Sequence, residues 1–565
     1  MRSHIISNNR LRGRAYAGTY VVVLAWDFLR PDSEDYSNLL GFAIERTEYQ
    51  LGIAYERYWL KGIKRFKDKD KGLPPGTPVS TAEHPVQSFQ WCDYTAKEGS
   101  EYGFRIIPVT GTSKLLSLVE GDALEIPIRT ESVTGPPVTA NARPVSHDVY
   151  FNRGVIGSQA YAREFGNKEP DRNNPYSPEM KWLSRGLFEA LTGFIGRAEG
   201  EKFALRAAFY EFHYLPVALA FAKSAESGAD VKIVYDAESS YKESSLETIR
   251  AAGLDRINAT IKRTVTEGIR HNKFIVLIED EIPVGVWMGS TNISAGGIFG
   301  HSNVGHVLWD SVIAASYLRY WEHLANNLSP SKLRPLNTAE SPVPAGLPPQ
   351  NSITPVFSAR DEKDDNTTLQ WYADIMNSAK KLMCITFAFN IDQVFQQVIQ
   401  QENNVLRYVV KDDELGTGEF IGHDRDVLFA AGGFLGGGNL ANFAAERDNP
   451  LNSNDYIHNK FMLVDPLGDD PITITGSANF SRPSQRTNDE NMLVIRGDTR
   501  IADIYFGEFM RIFDHHYARY LSKKLQQTDR NDPDAGYLKP TGIWVNAHMD
   551  TRSYKSKRRK YFIDG

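Results

Sequence analysis

One constellation of residues occurs twice in this chain. His271-Asn272-Lys273 is followed by Gly289-Ser290-Thr291-Asn292, and His458-Asn459-Lys460 by Gly476-Ser477-Ala478-Asn479. In both, Gly trails His by 18 positions, Ser by 19 and Asn by 21. Each HNK runs into an apolar stretch of strand length, Phe274-Ile275-Val276-Leu277 and Phe461-Met462-Leu463-Val464. A lone HxK is uninformative; the whole set recurring at fixed offsets marks an internal repeat. The flanking segments repeat as well. Helix, strand, helix and strand patterns at 187–195, 203–212, 217–225 and 231–235 recur at 369–378, 382–389, 394–400 and 406–410. Arg319-Tyr320-Trp321-Glu322-His323 matches Arg511-Ile512-Phe513-Asp514-His515 in the helix that ends each copy. Alternating strands and helices call for α/β layers, and two copies in one chain are expected to pack about a pseudo-two-fold axis, as a monomer with internal symmetry.

The repeated residue types suit work on a phosphodiester. That reaction needs a nucleophile, a proton for the leaving oxygen and donors around the phosphoryl oxygens. His271 and His458 supply the first two roles. On a strand, residues i and i+2 share a face, so Lys273 and Lys460 would stand beside the histidines and offset the phosphate charge. Ser290, Asn292, Ser477 and Asn479 would donate hydrogen bonds, and Gly289 and Gly476 would allow close backbone approach. No dense His/Cys/Asp/Glu cluster has metal-ligand spacing, so neither metal nor cofactor is expected.

These motifs are the HxK…GSxN signature of the phospholipase D superfamily, which the chain resembles across about residues 148 to 525. The resemblance implies metal-independent phosphodiester cleavage through a covalent phosphohistidine, with both motifs meeting at one site. It also favours His271 as nucleophile and His458 as general acid, whereas a carboxylate beside His458 would make that ring more basic and favour the reverse.

The two copies differ. Asp465, five residues after Lys460, stands where the family has its usual acid, and the first copy has Ile278 there, followed by Glu279 and Asp280. Asn488-Asp489-Glu490-Asn491 is similar to the Asn-x-Glu-Asn element of bacterial members, which makes Glu490 the expected hydrogen-bond partner of His458. The first copy reads Ser302-Asn303-Val304-Gly305-His306, with Gly305 at the expected place of Glu, so His271 needs another partner. Glu211 is a candidate, against a structural or surface role.

Residues 15–130 read as short strands separated by turns, an all-β sandwich. Trp26 on an early strand and Tyr102 at a late one resemble the core Trp and tyrosine corner of fibronectin type III domains. The expected organisation is a fibronectin type III-like sandwich at 1–130, a linker at 131–147 and a first repeat at 148–328. A Pro-rich linker follows at 329–355, then a second repeat at 356–525 and a basic tail at 526–565. The charge run 61–72 is expected as a solvated loop. Gly432–Gly438 reads as a flexible loop near the site, and His515-His516 as packing or surface. Lys555-Ser556-Lys557-Arg558-Arg559-Lys560 either contacts phosphates or is a solvated tail.

Composition narrows the rest. Charged residues are 24 % and hydrophobic residues 41 %, which excludes a disordered or coiled-coil chain. Two cysteines, Cys92 and Cys384, build no disulfide framework. Arg and Asn interrupt the N-terminus where a signal peptide needs an apolar core, and no stretch approaches a membrane span, so a cytoplasmic protein is expected. The net charge of -6 gives no general attraction for nucleic acid. The short GSAN…NDEN layout resembles nuclease-like members, so nucleic acid is favoured over the alternative, phospholipid headgroups. A non-catalytic phosphate-binding module is the second alternative, and the sandwich is open to an unknown partner.

Overall fold

The computed structural model describes residues 1–154, 157–416, 426–435, 443–448, 451, 456–527 and 536–565. Its N-terminal region is all β. Strands β1 (Ile6–Ser7), β2 (Leu11–Ala17), β3 (Val22–Phe28), β4 (Leu39–Gln50), β5 (Ile53–Trp59), β6 (Lys61–Gly62), β7 (Val79–Ser80), β8 (Gln90–Asp93), β9 (Glu101–Gly111), β10 (Leu116–Leu118) and β11 (Leu124–Arg129) follow in sequence. One sheet has the order β1-β2-β3-β8; the other has β10-β9-β4-β5, with β11 also paired to β9. The period-2 alternation decides what fills the space between them. Val22, Leu24 and Trp26 from β3 meet Phe42 and Ile44 from β4 and Tyr102, Phe104 and Ile106 from β9 in one core. Trp26 packs edge-on against Phe42 at 5.3 Å between ring centroids.

The charge run 61–72 is less solvated than its composition implies. Arg65 is buried, pairs with Asp70 at 3.1 Å and donates to the Leu73 and Pro74 carbonyls, folding the loop around its own guanidinium.

Two further sheets hold the repeated motifs. In the first, β12 (Val138–Ala140), β13 (Arg143–Phe151), β14 (Phe203–Phe209), β15 (Asp230–Asp236), β16 (Thr260–Arg263), β17 (Lys273–Glu279), β18 (Ile282–Gly289) and β19 (Val304–Trp309) take the order β12-β13-β19-β18-β17-β14-β15-β16. The second comprises β20 (Ser352–Ser358), β21 (Leu382–Phe387), β22 (Leu406–Lys411), β23 (Val427–Ala431), β24 (Phe461–Val464), β25 (Ile472–Gly476) and β26 (Glu490–Arg496), in the order β20-β26-β25-β24-β21-β22-β23. Apart from the added edge strand β12, order and direction match: three parallel neighbours end each sheet and the rest run antiparallel.

Part of the stretch expected as a linker, 131–147, is therefore the paired start of the first sheet. The Pro-rich stretch also gains structure, a helix at Pro330–Glu340 opened by its own Pro. The helices Ser311–Ala325 and Thr499–Gln527 send Tyr317, Tyr320, Phe506, Phe509 and Phe513 into a single core shared by both sheets.

Residues 536–565 are not a solvated tail. Trp544 and Val545 complete the core of the N-terminal sheets. The helix Tyr554–Asp564 buries Ser556, Arg559, Phe562 and Ile563, which helical spacing puts on adjoining faces. Arg559 pairs with Asp27, Lys557 with Asp426, and Arg558 lies over the Tyr408 and Phe562 rings. Much of the basic cluster is thereby committed to internal contacts. The N-terminus is fixed to the second repeat as well, by Arg2 on Asp503 at 2.8 Å and on the carbonyls of Pro466, Leu467 and Gly468. Among the described residues no helix is long and apolar enough to cross a membrane.

Candidate active site

Both HNK segments lie at strand entrances, the first at β17 and the second at β24, and the two histidines meet. Their ring centroids are 6.4 Å apart. Both rings are more than nine-tenths buried. Lys273 Nζ donates to His271 O at 2.6 Å, and Lys460 Nζ to His458 O at 2.7 Å, so each lysine folds back over its own motif. Burial brings Lys273 down to about 8, opposed by Glu490 and Glu211.

The orienting partners cross between repeats. Glu490 is on β26 of the second repeat, yet its Oε2 lies 2.9 Å from His271 Nδ1. The expectation that it serves His458 is overturned. Glu490 also accepts from Ser477 Oγ at 2.6 Å. Burial pushes the Glu490 carboxyl up, but His271, Lys273 and Ser477 bring it below the usual carboxylate range. His271 is held below the usual imidazole range by burial, against the upward pull of Glu490.

His458 has a different environment. Its Nδ1 lies 3.1 Å from Asn303 Oδ1 and 3.2 Å from Ser290 O. Asn303, not Gly305, is the counterpart of Glu490: each stands 13 residues after its motif Ser, and each accepts from that Ser Oγ. Asn303 Nδ2 donates to Gly297 O at 2.7 Å, which turns its Oδ1 toward His458. Two acceptors at Nδ1 put the proton there, leaving Nε2 for chemistry. His301 stacks on His458 with centroids 4.6 Å apart and planes 30° apart. Burial, Lys460, His301, Lys273 and His271 hold His458 well below the usual imidazole range.

The remaining expected residues divide. Ser290 and Ser477 secure Asn303 and Glu490. Asn292 Nδ2 donates to Glu211 Oε1 at 2.6 Å, so that amide N–H is already engaged rather than directed at a phosphate. Glu211 therefore orients Asn292 and not His271. Asn479 is buried, and its Oδ1 has no hydrogen-bond partner among the described residues. The two glycines serve strand approach: a Cβ on Gly289 would lie 2.2 Å from Val304 O, and one on Gly476 2.2 Å from Asn491 O. That close approach brings Asn303 and Glu490 beside the motifs.

Asp465 lies at the far end of β24 from His458, where its carboxylate accepts from the backbone N–H groups of Lys380, Lys381 and Leu382. It caps a turn. His515 and His516 are packed within the long helix, ring against ring at 4.6 Å. Of the glycine-rich loop, Gly436–Gly438 lies outside the described residues. Asn303 carries one signal in the sequence, the Ser-to-partner spacing it shares with Glu490, and His301 carries none. Among the described residues no group of three or more His, Cys, Asp and Glu side chains is arranged to hold a metal ion.

Two matched α/β sheets, each presenting a His-Lys pair and a Gly-Ser-x-Asn turn to a common centre, define the class. The chain carries a phospholipase D-like domain. Residues 436–514 match the family described as "Cardiolipin synthase, PLD-like domain". Mitochondrial cardiolipin hydrolase of Xenopus laevis is 33% identical over 93 residues, which cover 16% of this chain and 40% of the relative. The chain thus spans well under half of that relative's length. Phosphatidylserine synthase of Haemophilus influenzae has a similar structure over 62% of this chain and 92% of its own, with 14% identity and a TM-score of 0.41. Nuc of Salmonella typhimurium, a phospholipase D family member, is similar over 32% of this chain and 95% of its own, with 21% identity and a TM-score of 0.22.

Proposed function

We propose that the protein is a metal-independent phosphodiesterase that works through a phosphohistidine and cleaves nucleic acid. The single observation that carries the chemistry is the asymmetric pairing of the two histidines, a carboxylate on His271 and an amide on His458.

His271 Nε2 attacks phosphorus while Nδ1–H stays on Glu490, whose charge stabilises the cationic ring formed as the N–P bond closes. The P–O bond to the leaving alcohol breaks, and that oxygen takes the proton from His458 Nε2. Water then attacks phosphorus, His458 takes its proton, the P–N bond breaks and His271 is restored. With ring centroids 6.4 Å apart, both imidazoles stand at one site, one to meet phosphorus and the other to meet the leaving oxygen. A bound phosphate anion favours the protonated form of His458, and an imidazolium with a neutral partner releases its proton readily. Lys273 and Lys460 offset the charge on the phosphoryl oxygens.

The reciprocal bonds, His271 to Glu490 and His458 to Asn303, support a pseudo-two-fold relation of the repeats around one site. A fibronectin type III-like assignment for the N-terminal sheets is supported by buried Trp26 and by Tyr102, whose hydroxyl accepts from Lys97 N at 2.9 Å.

A second reading, hydrolysis of phospholipid headgroups, is favoured by the match to a cardiolipin hydrolase. The test is cleavage of single-stranded DNA, duplex DNA, RNA and phosphatidylcholine side by side in EDTA, with His458→Ala as control. Nucleic-acid cleavage lost in the variant is the expected result. Cleavage of phosphatidylcholine alone selects the second reading, and no turnover of any diester selects a non-catalytic module.

A further inference from the structure

A row of rings that the mechanism does not use leads away from His271. Tyr210 meets His271 edge-on at 5.2 Å between centroids, with Lys273 Nζ 5.5 Å from its ring centre. Tyr241 meets Tyr210 at 5.7 Å with planes 89° apart, and His213 stacks on Tyr241 at 5.3 Å with planes 21° apart. Tyr210, Tyr241 and His213 are partly exposed, unlike the buried catalytic pair.

The row is tied to the site. Tyr210 N donates to Asn272 O at 3.0 Å, within the first HNK motif. Glu211 Oε2 lies 3.3 Å from His213 Nε2 while Oε1 holds Asn292. Among the described residues only the first repeat has this arrangement. Ala207 pairs with Ile275 and Ile385 with Met462, each two positions beyond a motif lysine, so the strands align. Tyr210, Glu211 and His213 then correspond to Ala388, Phe389 and Ile391. The repeated fold itself therefore does not require rings at the positions of Tyr210 and His213.

We propose that Tyr210, Tyr241 and His213 form a subsite for a planar ring next to the scissile phosphate, a nucleobase of a nucleic-acid strand. This rests on the nucleic-acid reading above and deepens it. Aromatic side chains beside a phosphate site take bases by stacking, with little regard to sequence, because every base has a π-face. A phospholipid phosphate lies between glycerol and a non-aromatic alcohol and offers no ring to stack.

The test compares KM for a single-stranded oligodeoxynucleotide with KM for an abasic strand of the same length and phosphate count. The unmodified protein is expected to favour the strand with bases by about 5- to 100-fold. Tyr241→Leu brings that ratio close to one, and Tyr241→Phe, which keeps the ring, retains it. Because the readout is a ratio within one protein, a partial loss of folded material does not imitate the effect. Cleavage of both strands with equal KM, or a ratio unchanged in Tyr241→Leu, overturns the subsite while leaving the nucleic-acid reading intact. Cleavage of phosphatidylcholine but of neither strand overturns both.

Discussion

His271 Nδ1 lies 2.9 Å from Glu490 Oε2, so the imidazole of the first motif is held by a carboxylate of the second repeat. The reciprocal bond from His458 ends on an amide, Asn303 Oδ1, at 3.1 Å. Matched scaffolds thus give the two rings different partners. A nucleophile that becomes cationic gains from the carboxylate, and an acid that must release its proton gains from a neutral partner.

Glu490→Gln keeps a hydrogen-bond partner at His271 and removes the charge. It is expected to lower kcat on bis(p-nitrophenyl) phosphate by about 10²–10⁴-fold with a small change in KM. Steady-state kinetics check this, and a kcat near the unmodified value would remove Glu490 from the proposed role.

Phosphoenzyme trapping separates the histidines. With bis(p-nitrophenyl) phosphate, whose leaving group departs without a proton, His458→Ala retains the nucleophile but lacks the group that activates water, so an acid-labile phosphohistidine should accumulate on His271. His271→Ala should accumulate none. Mass spectrometry of quenched peptides reads both, and label on His458 in the second variant would reverse the roles.

Asn303→Asp gives His458 a carboxylate of its own. Burial, Lys460 and His301 hold His458 well below the usual imidazole range, so its acid form is scarce at neutral pH in the free protein. A nearby negative charge raises an imidazole by about 1–3 pH units. The alkaline limb of the kcat/KM profile should therefore move to higher pH, and an unmoved limb would count against His458 as the acid.

The fold should be acid-labile. His147 Nδ1 and His306 Nε2 are 2.8 Å apart, and His306 Nδ1 lies 2.9 Å from Tyr505 OH, all in the core shared by the repeats. Burial brings His147 down to about 3 and His306 well below its usual range, with Arg500 reinforcing both shifts. The unfolded chain takes up protons on these rings near pH 6.5, and the folded chain does not. Their neutral burial is therefore tolerated above that pH, and stability falls as pH drops from about 6.5 toward 3. Thermal unfolding between pH 7.5 and 5 should show a falling midpoint, with a shallower slope in His306→Gln.

Arg559 and Asp27 join the C-terminal helix to β3 and are both buried. Arg559→Ala leaves the carboxylate without this partner and is expected to cost about 3–5 kcal/mol. Asp27→Asn combined with Arg559→Met should recover much of it. Chemical denaturation measures both, and a single variant as stable as the unmodified chain would show that the pair does not hold the helix.

The motifs, their spacing and the apolar stretches were legible in the sequence because a strand fixes its side chains locally: His and Lys at i and i+2 share a face whatever surrounds them. The repeated α/β pattern and the N-terminal β region were legible for the same reason. The C-terminal helix was not. Its basic residues resemble a solvated tail until Asp27, Asp426 and Tyr408, all distant in sequence, are brought against them. Glu211 was visible as a carboxylate at a strand end, but its contact with Asn292 depends on how two loops meet.

The sequence by itself determined that two His-Lys pairs and two Gly-Ser-x-Asn turns exist at equal spacing, and that each pair enters a strand. Only the tertiary structure decided which partner each histidine has. Glu490 and Asn303 hold equivalent places in their own repeats, and the interface sends each across to the opposite ring. Such a contact depends on the packing of two sheets and leaves no periodic signal in the chain.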